Sequence, residues 1–190
     1  MAAIQARYEG VRDLEARFEQ ASRAVVLATP GRPSASKGVV RFAKPGKMRW
    51  SYEEPEPSLV VSDGQTLWLF DPGRHEAQRM PVGEGYFFGA SIQFLLGRGD
   101  VLRDFEVTPQ RCDDEIAELV LRPRRPESFE RLELRADRKS GDLLRTTVVD
   151  LLGNVTEVSF SQIRVNLDPP AETFGFEPPP GVEVIDLGAR

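Results

Sequence analysis

Apolar and polar residues alternate with a period of two along most of this chain, which is the signature of half-buried β-strands. In KMRWSYE, Met48, Trp50 and Tyr52 point to one side of a strand, and Arg49, Ser51 and Glu53 to the other. SKGVVRFAKP and KMRWSYEEP read as short strands broken at Pro45-Gly46. SLVVSDGQTLWLFDP reads as a strand pair joined at Asp63-Gly64. The pattern resumes in DFEVTPQ, EIAELVLRPR, FERLELRAD, DLLRTTVVDLLG and NVTEVSFSQIRVN, where RKSGD and LLGN supply turns, so an antiparallel meander is the economical topology. Within the last run the alternation slips from Val158 and Phe160 to Ile163 and Val165, which predicts a bulge. The tail DPPAETFGFEPPPGVEVIDL is too rich in proline for a central strand before Val182 to Ile185.

Two stretches break the alternation. Ile4, Tyr8, Val11, Leu14 and Phe18 fall at helical spacing, which predicts an amphipathic helix over residues 1–19 running into a strand near Phe18 to Ala28. The run YFFGASIQFLL, within residues 84–98, is apolar nearly all round and flanked by glycines, and reads as a short helix buried from several sides. The expected fold is therefore mainly β with two helical regions and about ten or eleven antiparallel strands in one domain spanning residues 1–190. So long a twisted sheet curls or closes on itself, leaving the helices to plug or cover it.

Composition narrows the function classes. With 40% hydrophobic and 29% charged residues and a net charge of −5, this is an ordinary globular composition without the basic bias of nucleic-acid binders. No run of about 20 apolar residues marks a membrane-spanning helix, and MAAIQARYEGVRDLEARFEQ has no apolar signal core. The lone Cys112 cannot form an internal disulfide and reads as a structural or surface thiol.

Candidate chemistry is sparse. His75 lies in a turn with no second histidine, so no metal site is expected. Asp113-Asp114-Glu115 precedes a strand and reads as a solvated turn, and GEGYFFG lacks the spacing and the βαβ context of a dinucleotide fingerprint. RPRRPESFER is either a solvated hairpin or a docking patch for an acidic partner. The stripe Met48, Trp50, Tyr52 is either plain core or the wall of an adaptable pocket. The second reading gains weight because both helical regions need the same sheet face.

KPGKMRWSYEEP, LVVSDGQTLWLFDP and ETFGFEPPPGVEVID, in this order along nearly the whole chain, resemble the outer-membrane lipoprotein carrier family, LolA-type. The resemblance implies an unclosed antiparallel β-barrel covered by a helical lid. It implies a periplasmic carrier, with its signal segment outside this sequence. Such a carrier takes lipoprotein acyl chains from an inner-membrane ABC transporter to an outer-membrane receptor. No catalysis, cofactor or nucleic acid is implied, and the chain is expected to act as a monomer. The acyl cavity would be lined by Met48, Trp50, Tyr52 and Trp68, with Phe87, Phe88, Ile92, Leu95 and Leu96 of the lid helix at 84–98. Lys44 matches the basic position that latches the lid. Two alternatives stand beside this reading: a lipoprotein- or lipid-binding sensor or receptor on the same half-barrel, and a lipocalin-like small-molecule binder.

Overall fold

The computed structural model describes residues 2–24, 34–82 and 101–188. A short helix, α1 (Ala2–Glu9), precedes β1 (Asp13–Arg23), β2 (Ser34–Ala43), β3 (Lys47–Glu54), β4 (Ser58–Ser62), β5 (Thr66–Asp71) and β6 (Glu76–Pro81). After a helical turn at Val101–Asp104 come β7 (Phe105–Cys112), β8 (Ile116–Pro123), β9 (Phe129–Asp137), β10 (Leu143–Asp150) and β11 (Val155–Val165). A 3-10 turn at Ala171–Phe174 leads to β12 (Glu183–Asp186). The described strands form one sheet of twelve in the order β12-β6-β5-β4-β3-β2-β1-β11-β10-β9-β8-β7. All neighbours pair antiparallel except β12, which runs parallel to β6. The two ends of the order do not meet, so the barrel is unclosed. The connection from β6 to β7 joins strands near opposite edges of the sheet.

The N-terminal helix is shorter than its sequence predicts. It stops at Glu9, and the residues expected on its last turns, Leu14 and Phe18, lie on β1. A step of four residues satisfies a helix and a strand equally, so this pair cannot discriminate between them. Tertiary pairing decides: β2 and β11 flank β1 on both sides and satisfy its backbone, while Leu14, Ala16 and Phe18 alternate inward. The strand in turn ends at Arg23, short of the expected Ala28, and residues 25–33 lie outside the described range. The bulge expected in β11 is present. Arg17 pairs with Ser161 and Glu15 with Arg164, one extra residue on β11, with Gln162 at φ 52°. It returns Ile163 and Val165 to the side of Leu14, where both pack on the core.

One face of the sheet carries the main core: Phe18, Val40, Phe42, Met48, Trp50, Val60, Leu67, Leu121, Leu132, Leu134 and Phe160 belong to one buried cluster. Strong curvature brings them together. Trp50 on β3 and Phe160 on β11 are three strand spacings apart, about 14 Å in a flat sheet, yet their ring centroids lie 6.4 Å apart. Phe18, two strands from Trp50, meets it edge-on at 4.6 Å.

Candidate functional site

The inner face is closed at one end by α1. Lys44, in the β2–β3 turn, donates a backbone N–H to Arg12 O (2.8 Å), and its Nζ donates to the carbonyl of Tyr8. That carbonyl belongs to the last turn of the helix, where no intrahelical donor remains and the negative end of the helix dipole favours a cation. At the opposite side of the barrel end, Arg7 pairs with Asp142 (3.0 Å) and the Tyr8 hydroxyl accepts the N–H of Leu143 (2.9 Å). The helix thus bridges the β2–β3 turn and the start of β10, with Ile4 and Tyr8 buried beneath it. Burial pushes the Tyr8 hydroxyl up to about 12 and holds the Lys44 ammonium below its ordinary range. The latch expected of Lys44 on the lid at 84–98 falls on residues outside the described range; the contact it makes here is to α1.

Along the inner side of β3 polarity rises step by step from this closed end. Met48 and Trp50 are buried, and Tyr52 is part-exposed. Trp50 is enclosed by Phe18, Phe42, Tyr52 and Phe160, and among the described residues its indole Nε1 has no hydrogen-bond partner. The Tyr52 hydroxyl donates to Gln20 Oε1 (3.3 Å), and burial raises its pKa. Beyond it β3 ends in the exposed Glu53 and Glu54.

Trp68 does not join this group. Trp50 pairs with Val60 and Val61 pairs with Trp68, so Trp68 shares a face with Val61 and Phe70, opposite to Trp50. There it packs on Phe176 (5.4 Å between centroids), with the Arg79 guanidinium over its ring at 6.0 Å. The turn after Asp63 fixes the register of β4 against β5, and a single step in register exchanges the faces. Leu67 and Leu69 are the inward residues of β5. Phe87, Phe88, Ile92, Leu95 and Leu96 lie outside the described residues.

The outer face has its own cover, which the sequence reading missed. From β11 the chain crosses the outside of β3 to β6: Arg49 donates to the carbonyls of Thr173 (3.2 Å) and Gly175 (3.5 Å), and Phe176 reaches Trp68 and Phe70. Val61, on the outer face, is 0% exposed, and Phe174, within the strap, is 3% exposed. A phenylalanine every second residue in TFGF was the available signal. Phe18, Phe42 and Phe160 also belong to the inner wall, and they were hidden because each reads alone as ordinary core.

The remaining candidates for chemistry resolve into surface structure. Asp113 Oδ1 accepts the N–H groups of Ile116 (2.8 Å) and Glu115 (3.0 Å), and these bonds, with Arg111, keep its pKa low. It shapes a turn. His75 occupies the β5–β6 turn at φ 53°, and Cys112 is exposed at the end of β7. Among the described residues no cluster of three metal-ligating side chains exists, and no helix is long and apolar enough to cross a membrane.

Comparison with known proteins matches this sequence to one family. The profile described as "Outer membrane lipoprotein carrier protein LolA" matches residues 9–177. An outer-membrane lipoprotein carrier protein of Dechloromonas aromatica is 35% identical over 93% of this chain and 83% of its own. Another, of Methylibium petroleiphilum, is 34% identical over 80% of this chain and 73% of its own. Among solved structures, an uncharacterized conserved protein of Thermus thermophilus superposes with a TM-score of 0.61 at 12% identity, covering 97% of this chain and 98% of that one. A DUF1329 family protein of Desulfovibrio piger gives 0.51 at 11% identity, covering 92% and 96%. At such identities the structures speak for the fold alone. The matches in sequence, which span nearly the whole chain, place it in the outer-membrane lipoprotein carrier protein family, LolA-type.

Proposed function

We propose that this protein is a periplasmic carrier that shelters lipoprotein acyl chains against the inner face of its half-barrel. It would take them from an inner-membrane ABC transporter and release them to an outer-membrane receptor. One observation supports this best: a large cluster of aromatic and aliphatic side chains lines one curled face, closed by α1 at one end and unclosed along the strand order. Met48, Trp50 and Tyr52 form the wall in this reading, and the apolar run at 84–98, with Phe87, Phe88, Ile92, Leu95 and Leu96, is its cover. The single domain then acts as a monomer.

Carriage of this kind makes and breaks no bond, so it is a problem of matched affinities. Burying a methylene gains about 0.8 kcal/mol, so a chain of a dozen carbons gains on the order of 10 kcal/mol. A carrier that kept all of it would never release its cargo. If the same apolar wall is covered when empty, uncovering it subtracts from binding and brings the loaded carrier close to the bilayer in free energy.

The test is native mass spectrometry of the protein recovered from the periplasm. Bound species should carry the mass of lipoproteins bearing acyl chains, and a fluorescent fatty-acid probe should be displaced by them. Recovery with free small metabolites and no acylated protein would point to the lipocalin-like alternative and sink the carrier reading.

A further inference from the structure

A polar atom without a partner sits in the most aromatic part of the inner wall. Trp50 is 4% exposed, its indole N–H has no partner among the described residues, and four aromatic rings close around it. The Tyr52 hydroxyl, two residues along on the same face of β3, donates its own proton to Gln20 and does not serve the indole. Buried donors are almost always satisfied, so each exception calls for a reason. Ring packing by itself does not call for an N–H, because a ring of carbon makes the same kind of contact without stranding a donor.

We infer that the Trp50 indole N–H is the donor that receives the carbonyl oxygen of a bound acyl group, and so fixes the depth to which the chain enters the barrel. This rests on the carrier reading above and adds the ligand chemistry at one atom. A hydrocarbon tail has no acceptor. The first acceptor along an acyl chain is the ester or amide carbonyl at its head. Matching that carbonyl to Trp50 puts the tail on the closed side of the wall, against Met48, Phe42 and the underside of α1. It puts the polar head on the Tyr52 and Gln20 side, where β3 runs out into Glu53 and Glu54. The rise in polarity from Met48 to Tyr52 agrees with this orientation and disfavours the reverse, which would press a polar head onto the buried methionine.

A matched pair of ligands isolates the carbonyl: 1-palmitoylglycerol and its ether analogue, 1-O-hexadecylglycerol, each displacing a fluorescent fatty-acid probe. The intact protein should bind the ester about tenfold more tightly. In Trp50→Phe the ratio of ester to ether affinity should fall to about one, whatever change in affinity the two ligands share. The chain has two tryptophans, so its indole N–H signals in a nitrogen-proton NMR spectrum are assigned by that same variant. The Trp50 signal should move downfield with the ester and much less with the ether, while the Trp68 signal stays in place. Equal affinities in the intact protein with an unmoved Trp50 signal would overturn the inference and leave the carrier reading standing. An ester preference that survives unchanged in Trp50→Phe would also overturn it, because the ring alone would then be at work. Failure of the intact protein to bind either ligand would remove the carrier reading and this inference together.

Discussion

At Tyr8 a single hydroxyl joins the helix to the barrel: it accepts the Leu143 N–H, and burial pushes its pKa from the ordinary 10 up to about 12. The sign follows from linkage. Below pH 10 the hydroxyl is protonated in both folded and unfolded chains, and its contribution is fully present. Between pH 10 and 12 only the unfolded chain ionises, so stability falls, by about 2 to 3 kcal/mol across the window. Denaturant titrations at pH 9 and pH 12 should show this loss in the intact protein, and Tyr8→Phe should lose less between the same two values. At pH 7 the variant should be less stable by about 1 to 2 kcal/mol, since the Leu143 N–H is left unpaired. An identical pH slope in both proteins would mean that Tyr8 is not buried against β10.

At the scale of elements, α1 is too short to hold itself in water. An isolated helix of fewer than about 12 residues is marginal at best, so this one depends on its contacts at both ends. Lys44 supplies one of them, at the Tyr8 carbonyl. Lys44→Met keeps most of the stem and removes the donor. The bond is worth about 1 to 2 kcal/mol, so amide hydrogens of α1 should exchange about tenfold faster, with β9 and β10 unaffected. Hydrogen exchange followed by mass spectrometry reads this directly. If α1 exchanges at the original rate and the affinity for a fatty-acid probe rises instead, Lys44 acts on the segment at 84–98, as its sequence position implied.

Over the whole molecule, the sheet keeps two apolar faces apart and gives each a separate cover. The inner face curls around its own aromatic residues, and the outer face of β3 to β6 lies under the C-terminal strap. Trp68 and Trp50 therefore do different work, although only β4 lies between their strands. Trp68→Ala removes the packing of Phe176 on a half-buried ring and should cost about 2 kcal/mol of stability. Acyl-probe affinity should stay within about twofold, because no inward side chain has changed. A large loss of affinity without a loss of stability would return Trp68 to the cavity wall.

Most of the strands and their turns, the bulge in β11 and the stripe Met48, Trp50, Tyr52 were legible in the residue pattern, because alternation with a period of two is written locally and pairing only has to accept it. The sequence also carried the family, in motifs spread along nearly the whole chain. Three things were settled only by tertiary structure. The helix could not be bounded from spacing, since the step from Leu14 to Phe18 serves either period and β2 and β11 chose the strand. The face of Trp68 was hidden, since alternation says that neighbours diverge but not which face is inside; the β4–β5 register decides that. The enclosure of Trp50 was hidden as well, since it needs rings from β1, β2 and β11 that meet only when the sheet curls. Local pattern fixes direction along a strand. Which directions converge is a property of the curvature, and curvature belongs to the assembled sheet.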